Sequence, residues 1–161
     1  MMSDKRQIGK EDIKKALLSK RNYLEEVLAI GIFGSLARGD FGERSDIDVF
    51  VVIKDEDDRG EETDIKWYFR VKELLKNFRR DVTVLVYTPD SLKAVPTWHT
   101  LRMAKEGLCF YDKGGIKNIF DAIVAEAKKV GLVEKRFGRK KVWTMNRLLE
   151  PGEIIEVRLE K

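Results

Sequence analysis

FGSLARGDFGERSDIDVFVVI, residues 33 to 53, is the stretch whose reading decides the fold. The apolar run Ile30, Ile32, Phe33 reads as a β-strand that delivers the chain into Gly34-Ser35. After ten intervening residues Asp46-Ile47-Asp48 opens a second apolar run, 49 to 53, which reads as another strand. Side chains alternate faces along a strand, so Asp46 and Asp48 point the same way, roughly 7 Å apart. Two carboxylates on one face repel each other and lose hydration, which is tolerable only in contact with water or around a cation. A hard ion with oxygen ligands, Mg²⁺ above all, suits such a pair, a substrate phosphate completing the shell. Gly34 lets backbone approach a ligand closely. Ser35 offers a hydroxyl and an N-cap for a helix beginning at Leu36-Ala37-Arg38. The free N–H groups at such a helix start favour phosphate, and Arg38 and Arg44 can add charge-assisted bonds to it.

Each piece alone has an ordinary structural reading. A Gly-Ser step is a common turn, and Asp46 could be a solvated strand start. Asp48 is harder to explain that way, because it lies inside an otherwise apolar strand where an unpaired carboxylate destabilises. A third acidic residue, Asp81, opens the β-branched run 81 to 87 before the turn signal Thr88-Pro89-Asp90. Val82, Val84 and Val86 share one face of that strand, and Asp81 lies on the other with Thr83. By itself Asp81 could equally cap the strand or pair with Arg79 or Arg80.

Outward from these strands the chain alternates between helical and extended patterns. Ile13, Leu17, Leu24 and Leu28 predict one helix over 11 to 28, and Trp67, Val71, Leu74 and Phe78 another over 63 to 79. Between them the acidic stretch 54 to 64 reads as a solvated loop rather than a metal site. Pro96 is placed to open a helix over 96 to 106. A short strand at 107 to 111 follows, and then an amphipathic helix from 116 ending at Gly131. Strands are expected at 140 to 145 and 154 to 159, joined through Pro151-Gly152 as a hairpin. This alternation predicts an α/β (α+β) fold with a mixed β-sheet flanked by helices and a small basic C-terminal β-hairpin appendage. The expected division is a domain over 1–127 and a basic extension over 128–161, packed on the same domain.

The 161 residues and 43% hydrophobic content suffice for one folded core. No apolar run is long enough to predict a membrane span, and nothing reads as a signal peptide. The single cysteine, Cys109, excludes an intrachain disulfide, fits a cytoplasmic location and is expected to pack rather than react. The single histidine, His99, excludes a multi-histidine metal centre. Charged residues make up 37% of the chain, with one Gln and four Asn, a balance common in hyperthermophile proteins. The net charge of +4 arises in residues 128 to 161, where ten Lys/Arg face five Glu. That segment predicts a solvated basic surface, with an anionic partner such as nucleic acid as the second choice.

Gly34-Ser35-Leu36-Ala37-Arg38-Gly39 followed by Ser45-Asp46-Ile47-Asp48 resembles the signature of the DNA polymerase β-like nucleotidyltransferases, and its spacing that of the minimal (MNT-type) members. The resemblance covers roughly residues 10 to 112. It implies Mg²⁺-dependent transfer of NMP from ATP or another NTP to an acceptor hydroxyl, with pyrophosphate released. It further implies Asp46, Asp48 and Asp81 as catalytic residues holding two Mg²⁺ ions, and Gly34, Ser35, Arg38 and Ser45 as nucleotide-binding. Related proteins include antibiotic-modifying enzymes and antitoxins paired with HEPN-domain toxins. A HEPN-type partner is therefore expected first, and a homo-oligomer is a further possibility. The alternatives are a small-molecule acceptor and a non-catalytic module that binds a partner or nucleic acid.

Overall fold

The computed structural model describes residues 8–95 and 97–159. In chain order the elements begin with α1 (Lys10–Leu17), α2 (Arg21–Glu25), β1 (Ala29–Phe33), α3 (Gly34–Arg38) and β2 (Ile47–Val52). They continue with α4 (Glu61–Leu74), β3 (Val82–Tyr87), α5 (Pro89–Ala94), α6 (Trp98–Glu106) and β4 (Leu108–Asp112). The chain closes with α7 (Ile116–Lys129), β5 (Leu132–Phe137) and β6 (Lys140–Met145). Four strands form one mixed sheet in the order β3-β2-β1-β4, and β5 with β6 forms a separate hairpin. β1 pairs antiparallel with both β2 and β4, while β2 and β3 run parallel. A parallel pair needs a crossover, and α4 supplies it.

Every residue of β1 is buried, as is all of β2 except Asp48. Strand alternation then sorts the apolar side chains into two cores, one on each face of the sheet. Ile47, Val49 and Val51 pack with Ile13 and Leu17 of α1 and with Trp67 and Val71 of α4. Phe50 and Val52 pack on the other face with Leu92, Leu101, Met103, Phe120 and Ile123 from α5, α6 and α7. Asp48 has the same parity as Phe50, so it faces the side of α6 and α7. At Gly31 the sheet leaves no room for a side chain: a Cβ there would lie 1.9 Å from the carbonyl oxygen of Leu108. The β1–β4 register shifts between Ile30 and Gly31, at this close approach.

The mixed sheet and flanking helices follow the sequence reading, and several boundaries do not. The helix expected over 11 to 28 is two helices. After α1 the hydroxyl of Ser19 donates back to the carbonyl of Ala16, and the chain restarts at α2. The second expected helix ends at Leu74 and is followed by a 3-10 turn over Lys76–Phe78. The supposed turn at Thr88-Pro89 is the start of α5: Thr88 Oγ1 accepts from Ser91 N while Ser91 Oγ accepts from Thr88 N. Pro96 lies outside the described residues, and the helix beyond it runs from Trp98 with Thr97 as its cap.

The C-terminal hairpin uses different strands from those expected. β6 pairs with β5, from Leu132↔Met145 to Phe137↔Lys140, and 154 to 159 form no strand. Ile155, Val157 and Leu159 nevertheless turn inward onto the second core, and Leu159 N donates to Lys93 O at 2.8 Å. Leu132 is buried in that core, with Trp143 and Met145 packed against it.

Cys109 lies on β4 against the second core. Burial, helped by the charge of Asp112, pushes its thiol pKa up to about 11. With so little thiolate near pH 8, alkylation by iodoacetamide should run roughly a hundredfold slower than on a free cysteine peptide. Mass spectrometry over a time course reads this directly, and labelling at the peptide's rate would contradict the packing role.

Candidate active site

β1 ends at Phe33 and the chain turns at once into α3, a single short helix. Gly34 makes the turn at φ +70, in the left-handed region that side chains resist. Its backbone lies against Asp48: a Cβ built on Gly34 would fall 2.1 Å from Asp48 Oδ2. The register explains the meeting, since Asp48 pairs with Phe33 on one side and Thr83 on the other. Phe33 is the N-cap of α3 and Ser35 lies within the helix, so Ser35 is not the cap that the sequence suggested. The carbonyl of Ser35 instead accepts from Gly39 N at 2.9 Å and Asp40 N at 3.0 Å, closing the far end of the turn.

The carboxyl pKa of Asp48 is raised above its ordinary value. Burial is the main cause, opposed by a hydrogen bond from Thr83, and the neighbouring charge of Asp46 raises it further. Arg38 and His99 pull in the other direction. A half-buried carboxylate that is repelled by its neighbour and backed onto glycine backbone is a place where positive charge is stabilised. The donors are hard oxygens, so Asp46 and Asp48 suit Mg²⁺ by their chemistry. Asp81 precedes β3, and its carbonyl accepts from Ile47 N at 2.9 Å. With Ile47 opposite Val82, strand alternation puts Asp81 beside Asp46 and on the face of Thr83 and Asp48. The three carboxylates do not form a ready-made cluster: among the described residues no three His, Cys, Asp or Glu side chains gather closely enough to hold a metal ion.

Arg38 leaves α3 towards α6, where its Nη1 donates to Glu106 Oε2 at 3.0 Å; Asp40 lies 3.4 Å from its Nε. Burial opposes its charge, yet the hydrogen bond and charge of Glu106, with Asp40, hold the guanidinium pKa above its ordinary value. The expected phosphate ligand is thus anchored to protein carboxylates, with more than a third of its side chain still exposed. Ser45 has a local role as well: its hydroxyl accepts from Gly42 N at 2.9 Å. Arg80 clamps the same loop. Its Nε donates to Ser45 O at 3.2 Å, its Nη2 donates to Gly42 O, and its guanidinium stacks 4.4 Å from the Phe41 ring. The clamp ties the loop before Asp46 to the start of β3, next to Asp81.

Several contributors escaped the sequence reading. Thr83 had a visible signal, because alternation already put it on the face of Asp81. His99 and Glu106 had none; they reach the site only because α6 packs across this face, with Thr100 Oγ1 3.3 Å from Tyr87 Oη on β3.

A family profile described as "Nucleotidyltransferase domain" matches residues 10–111. The chain belongs to this nucleotidyltransferase family. No curated protein matches it. Among solved structures, a toxin–antitoxin crystal structure with AMP-PNP is 19% identical with a TM-score of 0.49, covering 76% of this chain and 95% of its own. Two variants of the toxin–antitoxin MntA-HpeT are similar at 17% and 20% identity, both with a TM-score of 0.47. They cover 76% and 77% of this chain and 95% of their own. Among the described residues no helix is long and apolar enough to cross a membrane.

Proposed function

We propose that the protein transfers NMP, AMP from ATP in the first instance, to an acceptor hydroxyl. The acceptor oxygen bonds to the α-phosphorus, the bond to the bridging oxygen breaks, pyrophosphate leaves, and the hydroxyl proton passes to a carboxylate. The observation that carries this reading is the abutment of Asp48 on the Gly34 backbone, with Asp46 beside it. Asp46 and Asp48 would hold the Mg²⁺ ions, and Asp81 would complete the site of one of them. When bound, Mg²⁺ neutralises the triphosphate and lowers the pKa of the acceptor hydroxyl. Asp81 takes the proton. Gly34 and Ser35 admit the phosphates to the β1–α3 turn, Ser45 borders the same site, and Arg38 adds positive charge from its anchored position. No covalent nucleophile is needed, because positioning and charge neutralisation supply the rate.

The favoured acceptor is a side-chain hydroxyl, a tyrosine for preference, on a HEPN-type partner for which this chain acts as antitoxin. That part rests on the resemblance to the MNT-type antitoxins and on no residue of this chain. Domain assignment follows the same reading, with the transferase in 1–127 and the basic segment 128–161 packed on it.

Asp81→Ala separates enzyme from binding module. With ATP labelled at the α-phosphate, the wild type should label the partner. The variant should lose at least about a hundredfold in transfer while retaining much of its MgATP affinity. No label on the partner, on the protein itself or on any small hydroxyl acceptor would favour the non-catalytic alternative. Label on a small acceptor alone would favour the antibiotic-modifying type.

A further inference from the structure

Trp67 and Val71 bury one side of α4, and the opposite side is apolar too. Ile65 is 56% exposed, Tyr68 36% and Phe69 62%. Positions i, i+3 and i+4 share one helix face, so the three form a single stripe. The Tyr68 and Phe69 rings pack edge to face with centroids 5.5 Å apart, which presents a preformed aromatic surface. Among the described residues Phe69 belongs to neither core.

Charge along the same face is sorted by end. On the N-terminal side are Glu61 and Glu62, with Asp58 just before the helix. Lys72 lies on the C-terminal side, its Nζ 5.6 Å over the Tyr68 ring, while Lys76 beyond it is already paired with Glu73 at 2.7 Å. Helical spacing aligns Glu62, Ile65, Phe69 and Lys72 in that order along the stripe. A face with acid at one end, apolar residues in the middle and base at the other is self-complementary when two copies pack antiparallel. Ile65 then meets Phe69 of the other copy, and Glu62 meets Lys72.

We infer that α4 is the interface of a two-fold homodimer, with the occupant of its exposed stripe being the same stripe of a second copy. α4 lies on the sheet face opposite Asp48, so association leaves both candidate active sites open. The inference is independent of the proposed reaction, because none of its residues belongs to that site.

Sedimentation velocity on the full chain tests it. The wild type should be a reversible dimer up to the hundred-micromolar range. Phe69→Glu should be monomeric at the same concentrations with an unchanged circular dichroism spectrum. Each of Glu62→Lys and Lys72→Glu places like charges together twice by symmetry. Each should weaken the dimer by about tenfold, and the two combined should return it to within about threefold of wild type. A wild type that is monomeric throughout would overturn the inference. So would a dimer that Phe69→Glu leaves intact, or a combined variant no tighter than the single ones.

Discussion

Asp46→Asn and Asp48→Asn are each expected to lower NMP transfer by about a thousandfold or more while the fold persists, because each removes charge that must offset the metal and triphosphate. Stability should move the other way at Asp48. Its folded pKa is raised, mainly by burial and further by Asp46, with Thr83 opposing. The folded chain therefore keeps this proton to a higher pH than the unfolded chain does. Between the ordinary carboxylate range and the raised value, the unfolded state binds fewer protons, and stability falls as pH climbs. Asparagine never ionises, and its amide oxygen can still accept the Thr83 hydrogen bond. Asp48→Asn should thus melt at or a few degrees above wild type near neutral pH without divalent ions, the gap closing towards about pH 4. Thermal melts across that range, beside transfer assays with labelled ATP, read both effects. A variant that melts well below wild type would refute the electrostatic account of Asp48. Transfer within about threefold of wild type would refute its role in holding charge.

The parts of this site that were legible in the sequence were those set by local rules. Strand alternation put Asp46 and Asp48 on one face and Thr83 with Asp81 on another strand's equivalent face; the sheet pairs Asp48 with Thr83, while Asp46 and Asp81 stand just before its paired residues. The two apolar runs flanking the Gly34-Ser35 and Asp46-Ile47-Asp48 steps are both strands, and the structure adds that they pair antiparallel. What was not legible depends on packing between distant segments. Nothing near His99 or Glu106 in sequence says that α6 crosses the face of Asp48 and Arg38. The reading of Ser35 as a cap erred because Gly34 at positive φ already enters the helix, moving the cap back to Phe33. The C-terminal hairpin misled for a different reason. Ile155, Val157 and Leu159 alternate as a strand should, but they turn onto the second core as an extended segment without joining a sheet. The true partner of β6, Leu132–Phe137, is mostly charged beyond its first two residues, so its pattern was faint.

Gly34→Ala should be the most damaging change of a single methyl group at the site. Two costs add. At φ +70 any side chain is strained, and the new Cβ would lie 2.1 Å from Asp48 Oδ2. Strain of this kind costs about 1–3 kcal/mol, and each kcal/mol corresponds to about 2–4 °C of Tm in a domain of this size. The clash adds to it by forcing Asp48 or the β1–α3 turn to shift, and a displacement of about 1 Å at reacting groups costs about a hundredfold in rate. Gly39→Ala separates the two costs. Gly39 is also left-handed, at φ +92, but a Cβ there meets nothing within 4 Å. It should therefore lose a similar amount of stability to backbone strain alone, and keep transfer within a few-fold of wild type. Melting curves and single-turnover rates for the two variants form the test. Equal loss of activity in both would mean that the α3 turn matters through its backbone conformation. Loss confined to Gly34→Ala assigns the effect to the contact with Asp48, the same contact on which the proposed chemistry rests.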